Sequence, residues 1–326
     1  MLALVTGATG KVGRHFVDRF MDEKRFSAAR LRALCHNRLL EPRDRLDVMQ
    51  GSIADRSTVD AAMQDVTHVI HLATCKETPD EVMDVAVKGL FWMLESFRAS
   101  STARQFILIG GDAAIGHFHY DHGAPITEAV PHRAYPGCYA LSKVIEEVML
   151  QQYCIQYGLN GCCLRAPWIM EKDDFRYTLS FGDDVFGAPV WKDEVSAEAA
   201  ASYRANGTVP VLLDAGDEPL KRNFVHVDDL VSAMLAAIDN RKASGELYNI
   251  CMDEPVDYGE VAGYLKETRN LPAVRIPSRY HSNWMDNAKA KFHLGWRPKY
   301  DLKKLIDSAW DYVRSANEPR KIWYPG

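Results

Sequence analysis

The chain has 326 residues, 47% of them hydrophobic, which suffices for one large core or for a nucleotide-sized domain with a smaller lobe. A net charge of -5, with Lys and Arg scattered along the chain, supplies no basic stripe for a polyanion, so nucleic acid and an anionic membrane surface are excluded as expected partners. No apolar run approaches the roughly 20 residues that span a bilayer, and the first strand begins at residue 2 with no basic leader, which points to the cytoplasm.

The predicted elements open with the apolar run Leu2-Ala3-Leu4-Val5, a buried strand that passes at once into Thr6-Gly7-Ala8-Thr9-Gly10-Lys11-Val12-Gly13. Glycines three apart allow a sharp turn, clear the Cβ atoms that would block a pyrophosphate, and aim free N–H groups of a helix start toward it, an arrangement that binds a dinucleotide. Val12, Phe16, Val17 and Phe20 continue the helix over 11–22 and pack it on the sheet. Further strands are predicted at 31–35, 46–49, 67–72, 105–109 and 160–164, alternating with helices at 57–64, 80–100 and 137–157, which implies a parallel sheet. Helix 80–100 carries Val82, Val85, Leu90, Met93, Leu94 and Phe97 at three-to-four spacing. Helix 137–157 carries Leu141, Val144, Ile145, Val148, Met149 and Ile155 in the same way, so both stripes are expected to pack on the sheet and on a neighbour. The alternation ends near residue 166, and 168–220, with Glu171-Lys172-Asp173-Asp174 and Phe181-Gly182-Asp183-Asp184, reads as a lobe of loops and short elements. Phe224-Val225-His226-Val227 reads as a strand, with Asp228 or Asp229 capping the next helix. The seven cysteines (35, 75, 138, 154, 162, 163, 251) show no CxxC spacing and read as reduced, mostly core, thiols.

Tyr139-Ala140-Leu141-Ser142-Lys143 sets a phenol and an ammonium four apart on one helix face, just past the fifth strand, where the carboxyl edge of such sheets binds ligands. A second such spacing, Tyr300 and Lys304, lies in a polar segment and reads as a surface coincidence.

With both motifs placed, the chain resembles the extended short-chain dehydrogenase/reductases, the NAD-dependent epimerase/dehydratase family. The resemblance runs through Gly7, Gly10 and Gly13, His71-Leu72-Ala73-Thr74, Tyr139 with Lys143, Leu164-Arg165-Ala166-Pro167, and Arg222-Asn223-Phe224-Val225-His226-Val227-Asp228-Asp229. It continues through Leu247-Tyr248-Asn249-Ile250, Ala288-Lys289-Ala290-Lys291 and Leu294-Gly295-Trp296-Arg297-Pro298. It implies a Rossmann-type doubly wound α/β sheet over 1–166, with returning elements from about 223–252, and a small C-terminal substrate lobe from 167–222 and 253–326. It further implies Tyr139 as general acid/base and Lys143 as the residue that holds the nicotinamide ribose and favours the phenolate. A free phenol titrates near pH 10, and a nearby cation brings that down. Cofactor contacts are expected from Gly7, Thr9, Gly10, Lys11, Val12, Gly13, Ser52, Ile53, Leu72, Ala73, Thr74 and Pro167. A homodimer through helices 80–100 and 137–157 is implied as well.

Four departures qualify the pattern. In Gly110-Gly111-Asp112-Ala113-Ala114-Ile115-Gly116, Gly111 takes the place of the Ser or Thr that hydrogen-bonds the substrate oxygen. Asp112 matches the aspartate of the 4,6-dehydratase triplet, but Ala113 replaces its glutamate; Asp112 reads as a substrate contact or as a loop cap. Ala86-Val87-Lys88-Gly89-Leu90 lacks the family's Asn and Thr, and Trp168 stands where many nucleotide-sugar enzymes carry Asn. Arg222 matches an arginine that meets nucleotide diphosphates, or forms a structural salt bridge. His117 and His119 alternate on one extended side without further ligands, so no metal site is assigned and they are expected at the substrate mouth. The second strand ends in Cys35-His36-Asn37-Arg38 with no ribose carboxylate, so His36 and Arg38, with Arg14, favour NADP over NAD. The expected activity is NAD(P)-dependent oxidation of a secondary alcohol of a sugar, sugar acid or nucleotide sugar. Its alternatives are a nucleotide-sugar epimerase or 4,6-dehydratase with retained cofactor, and a dinucleotide sensor without chemistry.

Overall fold

Runs of Leu, Ile and Val that are buried on both faces are stable as strands of a covered parallel sheet, and such runs form the centre of a seven-stranded sheet in this chain. The computed structural model describes residues 1–182 and 189–318, so Asp183 and Asp184 of the predicted lobe lie outside the described residues. The strands are β1 (Leu2–Thr6), β2 (Arg30–Cys35), β3 (Leu46–Gln50), β4 (His68–His71), β5 (Gln105–Gly111), β6 (Gly161–Ala166) and a seventh, Glu246–Asn249. Their order across the sheet is Glu246–Asn249, β6, β5, β4, β1, β2, β3, all parallel. The direction of winding reverses between β4 and β1, which opens a crevice at their carboxyl ends. The seventh strand was not predicted as one, because Glu246 and Leu247 are only half-buried and no apolar run marks it.

Helix α1 (Lys11–Asp22) matches the prediction and buries Gly13, Phe16, Val17 and Phe20. Helix α2 (Arg56–Ala62) starts on Asp55, whose carboxylate accepts the backbone N–H of Ser57 and Thr58. The single helix expected over 80–100 is instead α3 (Pro79–Val82), a wide π-type turn over Met83–Gly89, and α4 (Leu90–Ala99). Gly89 lies under Ile53, where even a Cβ would come within 2.7 Å of Ile53 Cδ1, and the widened turn still brings Ala86, Leu90, Met93, Leu94 and Phe97 inward.

Helix α5 (Cys138–Tyr157) corrects the prediction more sharply. Its apolar stripe does not face the sheet: Leu141, Val148 and Ile155 are 52%, 38% and 68% exposed. The buried face carries Ala140, Ser142, Lys143, Glu146, Glu147, Leu150 and Tyr153. The charges are tolerated because they are paired. Arg165 of β6 donates to both oxygens of Glu147 at 3.0 and 2.6 Å, and His132 adds a contact at 2.9 Å.

Beyond β6, Trp168–Met170 pairs with Phe224–His226, Lys221–Arg222 with Val256–Asp257, and Val209–Leu212 with Ala273–Ile276. Helices Tyr258–Arg269 and Leu302–Asp311 cover these ribbons and close a second apolar cluster around Phe175, Trp191, Phe224 and Tyr258. Ala290, Leu294 and Trp296, placed by the sequence in the substrate lobe, pack instead in the cluster under the main sheet. The helix Val227–Ala237 is capped by His226, whose Nδ1 accepts the N–H of Asp228, and not by Asp228 or Asp229. Asp229 is engaged elsewhere, taking the N–H groups of Lys299 and Tyr300 at 2.9 and 3.0 Å. Tyr300 is no surface coincidence, since its ring stacks on His226 with centroids 3.6 Å apart. All seven cysteines are free thiols, five of them buried. No helix of the described residues is long and apolar enough to cross a membrane.

Candidate active site

The cleft begins at the turn after β1. Gly7 holds φ +67°, and a Cβ there would stand 2.9 Å from the backbone of Leu72 and Ala73, so only glycine lets the segment after β4 come this close. Thr6 fixes that approach: its Oγ1 accepts the N–H of Leu72 and of Ala73, each at 3.2 Å, and pairs with His71 Nδ1 at 3.0 Å. α1 starts at Gly10 with no side-chain cap and no acidic residue in its first turn, so its positive end is left to an anion. A glycine cradle and an uncapped helix start fit a dinucleotide pyrophosphate. Of the other predicted contacts, Ser52 caps Ala54 N–H and Ile53 is buried against Gly89. His36 is exposed and Arg38 half-buried just past β2, while Arg14, which donates to Thr9 O at 3.1 Å, lies near enough to bear on the Cys35 thiol.

Lys11 and His15 turn away from the turn toward the lobe. Lys11 Nζ reaches Ile169 O at 3.1 Å and Asp174 at 2.5 Å, and His15 pairs with Glu171 at 2.8 Å and with Asp228 at 3.4 Å. Hydrogen bonds to Asp228 and Glu171 raise His15 to about 9.

At the carboxyl end of β5, Gly111 is the wall against which the predicted pair stands. A Cβ on Gly111 would lie 3.5 Å from the Tyr139 hydroxyl and 3.7 Å from Lys143 Cγ and Cδ, ordinary contact distances. A side chain at position 111 would therefore stand beside the phenol. Lys143, 3% exposed, donates to Glu146 Oε2 at 2.7 Å, a partner that sequence reasoning missed. Burial pulls the ammonium down, but Glu146 and Tyr139 outweigh it and Lys143 stays above its ordinary value. Two further residues were missed, both on the loop after β4. Lys76 Nζ sits 4.0 Å from the centre of the Tyr139 ring, and Glu77 accepts the Tyr139 backbone N–H at 3.3 Å. A lone loop lysine and glutamate give no sequence signal.

Asp112, Ala113, Ala114 and Ile115 form a short 3-10 turn after β5, with all four residues buried. Burial lifts Asp112 to about 7, opposed by Arg222, Arg165 and Lys76. His117 Nδ1 lies 3.6 Å from Asp112 Oδ2; burial first, then Arg222, holds that imidazole well below its usual value, hence neutral. His117 is half-buried, edge-on to Tyr135 at 5.3 Å, and His119 stacks on Tyr135 at 4.8 Å. Arg222 is sandwiched between Phe118 and Trp168, 4.1 and 3.9 Å from the ring centres, and Trp168 also stacks on Phe224. Asp112, His117 and Arg222 are thus brought together on the β5 side of the cleft, with Trp168 behind the arginine. Among the described residues no group of three His, Cys, Asp or Glu is arranged to hold a metal.

Comparison with known proteins agrees with this geometry. Residues 3–251 match the model of the NAD dependent epimerase/dehydratase family. A putative UDP-glucose 4-epimerase of Methanocaldococcus jannaschii is 24% identical, over 97% of this chain and 99% of its own. A GDP-6-deoxy-D-mannose reductase of Pseudomonas aeruginosa is 25% identical, over 93% of each chain. Among solved structures, a short-chain dehydrogenase/reductase superfamily protein of Agrobacterium tumefaciens with bound NAD superposes with a TM-score of 0.78 at 19% identity, covering 96% of this chain and 97% of its own. A UDP-glucuronic acid 4-epimerase of Bacillus cereus in complex with NAD gives 0.74 at 18% identity, covering 96% and 98%.

Proposed function

Since the chain belongs to the NAD dependent epimerase/dehydratase family, we propose that it oxidises or epimerises a secondary alcohol of a sugar, sugar acid or nucleotide sugar, with Tyr139 as acid/base. The observation that carries this reading is the Tyr139 hydroxyl set against Gly111 at the carboxyl end of β5, with Lys143 one helical turn on. The residues that would hold the dinucleotide are the turn from Gly7 to Gly13, Leu72 to Thr74, Ser52 and Ile53 toward the adenine, and Pro167 and Lys143 toward the nicotinamide. When bound, that cofactor supplies a site that accepts and returns a hydride.

Tyr139 as phenolate takes the proton of the substrate hydroxyl while the carbon beneath loses hydride, and the phenol returns the proton when the carbonyl is reduced. Asp112, which burial lifts to about 7 and so leaves close to half-protonated at neutral pH, would donate to the substrate oxygen in the manner of the hydroxyl that Gly111 lacks. His117, Trp168 and Arg222 would meet the rest of the sugar or its phosphate. Arg14, His36 and Arg38, with no carboxylate at the end of β2, support NADP over the NAD bound in the structural neighbours. The exposed stripe Leu141, Val148 and Ile155 supports a homodimer through the segments 80–100 and 137–157, which sedimentation of Ile155→Lys would test by a shift to monomer.

The deciding assay is a panel of UDP-, GDP- and free sugars with NAD and with NADP. Reduced nicotinamide accumulating with oxidised sugar marks a dehydrogenase. Sugar inverted without such accumulation marks an epimerase, the activity named for several relatives. No turnover anywhere, with cofactor still bound, overturns the catalytic reading in favour of a sensor.

A further inference from the structure

Glu146 follows Lys143 by three residues on α5, and neighbours at that spacing share a helix face. Both side chains are sealed in the interior, 4% and 1% exposed, with Lys143 Nζ donating to Glu146 Oε2 at 2.7 Å. Burial of an ammonium favours its neutral form, and a neutral amine offers no charge to a neighbouring phenol. A carboxylate in contact reverses that preference, the more so where little water screens the pair.

Among the described residues Glu146 is the one hydrogen-bond partner of this ammonium, and Lys143 the one partner of the carboxylate, whose Oε1 is buried without a hydrogen bond. The adjacent Glu147 is committed to Arg165 and His132. The other elements around Lys143 set no second carboxylate against it. His71 of β4 is held by burial at about 3 and is neutral, and Cys163 of β6 is a thiol that burial pushes well up. The end of β5 presents Gly111, and Asp112 beyond it lies toward His117. On the loop after β4, Lys76 faces the Tyr139 ring and Glu77 accepts the Tyr139 backbone N–H. In the wide turn and α4, Asp84 pairs with Lys88 and Glu95 with Arg98. An ammonium has three N–H donors, so with one spent on Glu146 two remain, and their direction is fixed.

We propose that Glu146 is a positioning residue, the internal counter-ion that keeps the buried Lys143 ammonium charged and fixes the direction of its two remaining N–H groups. It acts on the chemistry only through Lys143. This rests on the reading of Tyr139 and Lys143 as the working pair, but it concerns the lysine itself and can be measured without a substrate. Without Glu146, burial would draw the lysine down until it discharged at a moderately alkaline pH, and the phenol would lose its cation there.

The test is carbon NMR of the full chain labelled at lysine Cε, titrated from about pH 6 to about pH 10, with circular dichroism to show that each variant is folded. The Lys143 resonance is the one lost in Lys143→Met. In the parent it stays charged throughout. In Glu146→Gln, which keeps the shape and an acceptor but drops the charge, its midpoint falls at least about one pH unit below the ordinary 10.5, and in Glu146→Asp, which keeps the carboxylate, it lies above that of Glu146→Gln. Where the sugar panel shows turnover, the alkaline loss of kcat in Glu146→Gln follows the same midpoint. A Lys143 still fully charged at about pH 10 in Glu146→Gln overturns the proposal. Should Glu146→Gln fail to fold, the double variant Lys143→Met with Glu146→Met, which removes both charges, is expected to fold, and its failure to do so overturns the proposal. A sugar panel without turnover leaves the Lys143 titration standing, so the two readings fail separately.

Discussion

Helices α1 and α5 lie against the same sheet and bury opposite kinds of side chain. α1 sets Phe16, Val17 and Phe20 into the core, each Phe contributing about 2–3 kcal/mol by leaving water. α5 turns Lys143, Glu146 and Glu147 inward and leaves Leu141, Val148 and Ile155 outside. Removing an ion from water costs several kcal/mol unless a partner answers it, and here Arg165, His132 and the Lys143–Glu146 pair do so. α1 is therefore held by apolar burial and α5 by paired charge, and this departure from the apolar-inside pattern is what distinguishes α5.

The comparison breaks first on stability. Phe20→Ala removes a fully buried ring and Glu147→Ala orphans Arg165, and each is expected to cost about 3–5 kcal/mol in denaturant titration. A Glu147→Ala loss below about 1 kcal/mol would refute the claim that charge holds α5 in place. Next comes chemistry: Tyr139→Phe is expected to lower kcat by about a thousandfold with cofactor affinity and melting temperature unchanged. Opposite α5, Asp112 is raised from 3.8 to about 7 by burial, so its folded form binds the proton more tightly than the unfolded chain does. That preference favours folding below pH 3.8 and is lost as the pH rises to about 7, so Asp112→Asn should match the parent in acid and exceed its stability increasingly up to neutrality. Gly111→Ser, which has room for its Cβ 3.5 Å from the Tyr139 hydroxyl, should raise kcat by about tenfold by restoring a donor. The smallest effect belongs to the outer side of α1. His15, raised from 6.5 to about 9, favours the fold fully below pH 6.5 and loses this as pH climbs through about 9. In His15→Gln the slope of melting temperature against pH over that window should flatten.

Much of the nucleotide half could be read from residues alone, because its signals are local. A strand run followed by spaced glycines leaves few conformations, and α1 spans the predicted residues. The turn after β5 is short, Asp112–Ile115 ending on Gly116, so a count back from Gly116 carries to Gly111 at the end of the strand. The face of α5 was not legible, because periodicity reveals that a helix is two-sided but not which side meets the sheet when charges can pair across it. The widened turn over Met83–Gly89 ends at a glycine packed against Ile53, thirty-six residues away in the chain, and no local pattern encodes that contact. His226 as a cap was missed because the flanking Asp228 and Asp229 are the commoner residue type for that task. Lys76 and Glu146 acquire meaning only through what the fold sets beside them.

Thr6 has a reach out of proportion to its size. Its hydroxyl is the last side chain of β1 before the glycine turn, and it clamps the two amides that begin the segment leading, four residues on from Leu72, to Lys76. The glycine turn after β1 and the loop after β4 are thus fastened to each other through one oxygen, and removing it frees both at once.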